Sequence, residues 1–130
     1  MLYRWIDHTS ELELRIEAPT EEDVFADALA AFAELAGRSA GADDRRTIEL
    51  EADERGLLLV DWLNELVYLA DSDGFEPAAL EELRLGDERL SATVAGRRGR
   101  PRPLVKAVSL HGLRYTREDD GWQARVVLDV

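Results

Sequence analysis

The sequence predicts an α+β fold, in which two helices pack on a mostly antiparallel β-sheet within a single domain. Several short segments alternate apolar and polar residues, which is the period of a β-strand, whereas two longer segments repeat apolar residues at helical spacing. These segments follow one another as strand, helix, strand, helix and then five strands. Because 130 residues is the size of one folded unit, we expect residues 1–130 to form one domain.

The first predicted strand covers residues 11–17, which alternate between charged and apolar side chains. We expect its apolar residues to face the core and its charged residues, Glu11 and Glu13 among them, to face outwards. The first predicted helix begins after Thr20. The Thr20 hydroxyl and the three acidic residues that follow it are typical of a helix N-terminus. Apolar residues then recur at helical spacing until Gly37.

A second strand and a second helix are predicted after a loop at residues 38–44. Residues 47–52 alternate again and are assigned to the strand. The segment 54–71 is the most apolar part of the chain, and its length favours a helix over a strand. On this helix Asp61 and Glu65 form a polar ridge, because residues four apart lie on one helix face.

The remainder of the chain is predicted to consist of strands. Residues 86–88 form one turn, and Asp120 and Gly121 lie in another, a strong hairpin signal. A loop rich in arginine, glycine and proline covers residues 96–103. The five strands predicted here are residues 80–85, 90–94, 104–111, 113–116 and 122–128.

The composition is strongly acidic, with 28 aspartate and glutamate residues against 16 lysine and arginine residues and a formal net charge of -12. Such a surface repels nucleic acid and anionic membranes, so we expect neither DNA nor a membrane as a partner. The absence of cysteine excludes disulfide scaffolds, thiolate zinc sites and cysteine nucleophiles. No apolar run reaches the roughly 18 residues of a membrane span, and the N-terminus turns polar at Asp7, so we expect a cytoplasmic protein without a signal peptide.

A first candidate site lies just before the first predicted strand, in the run Asp-His-Thr-Ser-Glu at residues 7–11. A carboxylate, an imidazole and a hydroxyl so close together could bind a metal ion or transfer protons. The alternative is structural: Asp7 and Thr9 cap the turn and His8 packs at the strand end.

A second candidate site is the C-terminus, where Asp129 precedes the α-carboxylate of Val130. Alternation places Asp129 on the face opposite the apolar residues of the last strand. Two neighbouring carboxylates repel each other when they are unpaired, and a hard cation relieves that repulsion. The alternative is a frayed, solvated terminus.

A third candidate is the basic stretch 97–106, which contains five basic residues and no acidic residue and ends with Lys106, the only lysine of the chain. On so acidic a protein, this stretch could contact RNA phosphate, a nucleotide or an acidic partner surface. The alternative is a solvated loop. His111 is an isolated histidine after a strand, where a structural role is commoner than a catalytic one.

Five short motifs resemble those of the archease family, and they follow one another in the family's order over nearly the whole chain. A helix-start motif of the type S-x-E-E-x-F-x-x-A follows the acidic N-terminal motif, and W-L-N-E-L-L-Y-L lies on the second helix. A late V-K-A-V-T-x-H motif and a penultimate aspartate complete the set. In this sequence they are Asp7–Glu11, Thr20–Ala28, Trp62–Leu69, Val105–His111 and Asp129–Val130.

The resemblance implies a protein cofactor rather than an enzyme. Archeases assist the RtcB-type RNA ligase of tRNA splicing and RNA repair, promote its guanylylation by GTP and allow it to turn over repeatedly. The resemblance therefore implies that GTP and RNA are reached only through the ligase. It also implies a divalent cation, calcium first, with magnesium and manganese as alternatives. Its ligands would be Glu11, Asp129 and the carboxylate of Val130.

The resemblance also implies functional or partner-contact roles for Asp7, His8, Lys106 and His111. Glu11 stands where the family has aspartate, which keeps the charge and lengthens the side chain by one methylene. Two other functions remain open at this point. One is a stand-alone metal-dependent hydrolase that uses the acidic residues and His8, and the other is a chaperone-like interaction module.

Overall fold

The computed structural model describes residues 2–8, 10–36, 43–99 and 105–130. These residues form seven strands and two helices. In chain order the elements are β1 (Leu2–His8), β2 (Glu11–Ala18), α1 (Glu21–Leu35), β3 (Asp44–Glu51), α2 (Arg55–Asp73), β4 (Phe75–Leu85), β5 (Arg89–Arg98), β6 (Ala107–Glu118) and β7 (Gly121–Asp129).

The strands form two antiparallel sheets rather than one. The first sheet has the order β1-β2-β7-β6 and the second has the order β3-β5-β4. Both helices contact strands of both sheets and also contact each other, so they form a middle layer between them. The α+β class with two helices packed on antiparallel sheet is confirmed, and the division of the strands into two sheets adds to it.

The central position of the helices explains the apolar character of α2. Leu58, Leu59 and Val60 are all buried although they point in different directions, because a helix between two sheets is covered on more than one side. Trp62 is fully buried, and its indole Nε1 donates to the carbonyl oxygen of Phe25 at 3.0 Å. This bond ties α2 to α1 inside the core.

The predicted cap at the start of α1 is confirmed, whereas the predicted end of α2 is two residues short. The Thr20 hydroxyl accepts a hydrogen bond from the N–H of Asp23 at 3.1 Å, which caps α1. Helix α1 ends with Ala36 as its C-cap, and the predicted stop at Gly37 lies outside the described residues. Helix α2 runs slightly beyond its predicted end and stops at Gly74, which adopts the left-handed conformation with φ of 65°.

Strand β1 was not predicted, and the structure places it at the edge of the first sheet. It forms a hairpin with β2, with His8 opposite Glu11. Ser10 adopts a left-handed φ of 63°, so the tight turn is made without glycine. The usual glycine signal was therefore absent, and the alternation is weak, because only Arg4 separates Tyr3 from Trp5.

The predicted strands at residues 104–111 and 113–116 are one strand, β6, with an irregularity inside it. Five residue steps from Ser109 to Arg114 match the two steps from Val127 to Arg125 on β7. Gly112 lies in this bulge with a φ of 74°. The bulge interrupts the alternation, and this is why the sequence pattern divided the strand in two.

The hairpin predicted around residues 86–88 is confirmed, and its two strands are longer than expected. Strand β4 begins at Phe75 and includes Pro77, which is tolerated because β4 lies at the edge of the second sheet. Strand β5 continues to Arg98, so the first part of the predicted loop 96–103 is strand. Residues 100–104 lie outside the described residues.

Candidate metal centre on the outer face of the first sheet

The two predicted metal-binding side chains lie directly opposite each other on neighbouring strands. Glu11 on β2 is the register partner of Asp129 on β7. Opposed residues of an antiparallel pair point to the same face, with Cβ atoms about 4.5–5.5 Å apart. Both are at least partly exposed, on the outer face that points away from the helices. Two like charges in this position destabilise the sheet unless a cation lies between them.

Backbone hydrogen bonds fix the residues around this pair. The N–H of Val130 donates to the carbonyl oxygen of Ser10 at 3.2 Å, which holds the last residue beside the start of β2. On the other side of β7, the N–H of Lys106 donates to the carbonyl oxygen of Asp129 at 2.8 Å. The end of β7 is therefore held on both sides.

Asn64 connects this end of the sheet to helix α2, a role that the sequence reasoning missed. Its Oδ1 accepts a hydrogen bond from the N–H of Val108 at 3.0 Å, one residue after Ala107, which pairs with Asp129. The bond fixes the start of β6 against α2. Asn64 belongs to the second-helix motif, and its position in that motif was the available signal.

The oxygen donors of Glu11 and Asp129 are of the chemical type that hard cations bind. Carboxylate oxygens are the ligands that Ca²⁺ and Mg²⁺ prefer. Within the described ranges, no group of three or more histidine, cysteine, aspartate or glutamate residues could hold a metal ion. A site built on Glu11 and Asp129 therefore needs a third donor that is not one of these side chains. The α-carboxylate of Val130 is the donor that the resemblance implies.

The other candidate residues are distributed around this pair. Asp7 is the register partner of Leu12, so it lies on the face opposite Glu11. The backbone of His8 pairs with Glu11, whereas the His8 side chain and Thr9 lie outside the described residues. Because Asp7 is on the other face, it does not share a surface with Glu11 and Asp129, the other two carboxylates that the hydrolase alternative would use.

His111 lies in the β6 bulge, where its N–H donates to Oγ of Ser109 at 3.0 Å and its side chain is exposed. No contact found in the described part of the chain joins His111 to Glu11 or Asp129. Its position four residues after Ala107 places it along β6, away from the carboxylate pair.

The predicted basic stretch does not form one surface among the described residues. Arg97 and Arg98 are in β5 of the second sheet, and Arg97 Nε lies 3.3 Å from Oε2 of Glu76. Lys106 lies next to the edge strand of the first sheet. The two ends of the stretch are thus on different sheets, and Arg100 and Arg102 lie outside the described residues.

Glu13 faces outwards as predicted, but only 5% of it is exposed. Its carboxylate is hydrogen-bonded to Arg15, and its Oε1 lies 3.6 Å from Nε of Arg125. Glu13 therefore does not serve as a free additional ligand beside Glu11. Alternation assigned its face correctly but could not show that arginines from two strands cover it.

A second polar cluster lies at the N-termini of the two helices. Oε1 of Glu21 accepts hydrogen bonds from the Tyr115 hydroxyl at 2.9 Å and from Nε of Arg55 at 3.0 Å. Burial, together with the Glu21 carboxylate, raises the pKa of Tyr115 far above its ordinary value. This cluster joins both helix N-termini to β6 and is structural in character.

Comparison with known proteins identifies relatives over the whole length of the chain. The model of the Archease protein family (MTH1598/TM1083) matches residues 3–130. The protein archease of Methanosarcina barkeri is 32% identical and spans 98% of this chain and 95% of its own length. The protein archease of Archaeoglobus fulgidus is 31% identical and spans 100% of both chains.

Two solved structures share the fold. The solution structure of Methanobacterium thermoautotrophicum protein 1598 superposes with a TM-score of 0.79 at 28% identity and covers 98% of both chains. The crystal structure of a Thermotoga maritima archease, described as a "possible chaperone", has a TM-score of 0.73 at 21% identity and covers 100% of this chain and 98% of its own. Neither described helix here is long and apolar enough to cross a membrane.

Proposed function

Because the chain belongs to the archease family, we propose that it is an accessory protein that activates an RtcB-type RNA ligase. In this proposal it promotes guanylylation of the ligase by GTP in the cytoplasm and allows repeated turnover, and it meets RNA and GTP through the ligase. The observation that supports the proposal most directly is the match of residues 3–130 to the family.

We further propose that a divalent cation is held by Glu11, Asp129 and the carboxylate of Val130. The register pairing of Glu11 with Asp129 supports this, because it brings two carboxylates of like charge together on an exposed face. A bound divalent cation would compensate two of the three negative charges of this site. Calcium is the first candidate, and magnesium and manganese are the alternatives.

The residues around the cation would position it and present it to the ligase. The hydrogen bond from Val130 to Ser10 holds the terminal residue near Glu11, and the bond from Lys106 to Asp129 fixes the other side of β7. Lys106 is exposed, and we propose that its ammonium group contacts the ligase or a phosphate at the joint surface. Asp7, His8 and His111 are proposed as further contact residues.

The test of the function is a ligation assay with the cognate ligase, GTP, a divalent cation and RNA ends in excess over the ligase. We expect the ligase alone to stop near one turnover and to continue when the protein is added. Unchanged turnover in its presence contradicts the proposal. Hydrolysis catalysed by this protein without the ligase would instead support the hydrolase alternative.

The cation site is tested with Glu11→Gln and Asp129→Asn, each of which removes one negative charge with little change in shape. Glu49→Gln, an exposed glutamate on β3 of the second sheet, is the matched control. We expect both test variants to lose calcium affinity in titration calorimetry and to lose ligase activation, while the control keeps both. Activation that survives Asp129→Asn would favour a chaperone-like role.

The third ligand is tested by extension of the chain beyond Val130, which converts its α-carboxylate into an amide. We expect the extended protein to keep its thermal unfolding midpoint and to bind calcium more weakly, because one charged ligand is lost. Undiminished affinity would show that the terminal carboxylate is not a ligand.

A further inference from the structure

The outer face of the first sheet carries a row of four arginines, one from each strand. The register pairs Arg4 with Arg15, Arg15 with Arg125, and Arg125 with Arg114. Directly opposed residues point to the same face, so the four side chains form one line across the sheet. The line crosses three strand spacings, about 14 Å. We call these residues the arginine row.

The arginine row has less negative charge beside it than four cations require. Glu13, two residues before Arg15 on β2, pairs with both central members, Arg15 and Arg125. Among the described residues, no acidic side chain forms an ion pair with Arg4 or Arg114, and Nε of Arg125 is buried without a hydrogen-bond partner. Like charges directly opposite one another destabilise a sheet, so the row is best satisfied by an anion.

The bulge in β6 lies next to one member of the arginine row, Arg125. Gly112 lies so close to Arg125 that a Cβ atom added there would be 3.0 Å from Nη2, and its φ of 74° favours glycine. The bulge therefore lies close to one guanidinium, whose Nε is buried. A preorganised guanidinium loses less conformational entropy when it binds an anion.

A cavity of about 620 Å³ lies over this part of the face, and the four arginines line it. Its lining continues to a second row of polar residues, Glu17, Gln123 and Thr116, which are also register partners. This second row lies two residues along the strands, about 7 Å from the arginines. The volume is in the range of pockets that hold small organic ligands.

We propose that this cavity binds a nucleotide, with its phosphates on the arginine row and its ribose and base against the second row. Guanidinium groups bind phosphate through paired hydrogen bonds. The Glu17 carboxylate accepts hydrogen bonds from ribose hydroxyls, and the Gln123 amide both donates to and accepts from a base. A ligand with anionic groups at one end and hydroxyl or amino donors at the other fits both rows.

The surrounding charge favours a single nucleotide over a polymer. The chain has a net charge of -12, so a long RNA strand that leaves the cavity meets an acidic surface. An acidic peptide would place carboxylates near Glu17 and Glu118, which also line the cavity. The row lies four residues along β2 from Glu11, about 13 Å from the candidate metal centre, and shares no residue with it.

The experiment measures binding of ATP to the isolated protein at low ionic strength, without the ligase, by calorimetry or by NMR titration. The test variant is the double substitution Arg4→Gln with Arg114→Gln, because both side chains are exposed and form no ion pair with any acidic residue that the structure describes. The control is Arg84→Gln with Arg89→Gln, two exposed arginines of the second sheet. We expect ATP affinity to fall by about tenfold or more in the test variant and to remain in the control.

Further ligands separate the two halves of the site. Adenosine should bind much more weakly than ATP, because it has no phosphate for the arginine row. Inorganic triphosphate should also bind more weakly than ATP and should be insensitive to Gln123→Ala, whereas ATP should be sensitive to it. Thermal unfolding confirms that each variant is folded.

Three results would overturn the proposal. The first is ATP affinity that is the same in the test variant and the wild type. The second is equal affinity for inorganic triphosphate and ATP, which would mean that no nucleoside is recognised. The third is tighter, arginine-dependent binding of a short single-stranded RNA or an oligoglutamate peptide, which would make a polymer the occupant.

Discussion

Replacement of Glu13 by glutamine should weaken the fold and strengthen nucleotide binding at the same time. Glu13 is only 5% exposed and is the carboxylate that pairs with both central arginines of the arginine row, Arg15 and Arg125. The Glu13→Gln substitution keeps the shape and one acceptor oxygen while it removes the negative charge. The two effects have opposite signs because the same charge stabilises the empty row and competes with the ligand.

The cost in stability follows from the burial of the three side chains. Removal of one partner of a fully buried ion pair costs about 3–5 kcal/mol. Here the side chains of Arg15 and Arg125 are 43% and 35% exposed, so water solvates part of each guanidinium. We therefore expect a loss of about 1–2 kcal/mol in the free energy of unfolding. For a chain of this size, that is a fall of roughly 4–8 °C in the unfolding midpoint.

The gain in binding follows from Coulomb's law. Glu13 is two residues from the arginine row along β2, about 7 Å. The repulsion between two unit charges at this distance is about 0.6 kcal/mol in water and about 2.4 kcal/mol at an effective dielectric constant near 20. Because the site is open to solvent, we expect the lower part of this range, an increase of roughly three- to tenfold in ATP affinity.

The assay is a pair of measurements on one protein sample, urea unfolding for stability and ATP titration for affinity. Glu49→Gln on the second sheet is the control and should change neither quantity. If Glu13→Gln lowers stability and also weakens ATP binding, Glu13 acts as a positioning residue for the arginines, and the charge argument is wrong. Stability equal to that of the wild type would show that the ion pairs contribute nothing to the fold.

Three further substitutions test the fold. Thr20→Ala removes the cap of α1 and should cost about 1 kcal/mol of unfolding free energy, measured by urea unfolding with Thr20→Ser as the conservative control. Because the pKa of Tyr115 is raised, the folded protein holds that proton more tightly than the unfolded chain. Its contribution is complete below the ordinary pKa of 10 and should be lost as pH rises above it, so wild-type stability should fall more steeply there than that of Tyr115→Phe. Gly112→Ala should lose about 1–2 kcal/mol from the left-handed backbone alone and weaken ATP binding through Arg125. Unchanged ATP affinity in that variant would contradict the proposed packing of the bulge against the guanidinium.

The elements that the sequence predicted correctly are those whose signals are local. The capping hydroxyl of Thr20, the alternation along β2 and the turn of the β4–β5 hairpin each depend on a few neighbouring residues. Strand β1 was missed because its turn uses Ser10 in a left-handed conformation rather than glycine. Strand β6 was divided because a bulge changes the period in its middle.

The candidate metal pair and the arginine row differ in how far sequence could predict them. Glu11 and Asp129 lie near the two ends of the chain, and the motif resemblance named both before their strands were known to pair. The arginine row has no such signal. Its members are dispersed among four strands, and only the register of three strand pairs brings them into line.

Rows of like charge across a sheet contradict the usual preference for opposite charges in cross-strand pairs. The outer face of the first sheet has two such features, the acidic pair Glu11 and Asp129 and the arginine row, separated by a row that contains Glu13 and Val127. An alternating arrangement of the same residues would cost the fold less. Natural sequences tend to depart from local rules where a ligand or partner supplies the missing compensation. The two features are therefore the basis of the two sites proposed on this face, one for a cation at the end of the sheet and one for an anion about 13 Å along it.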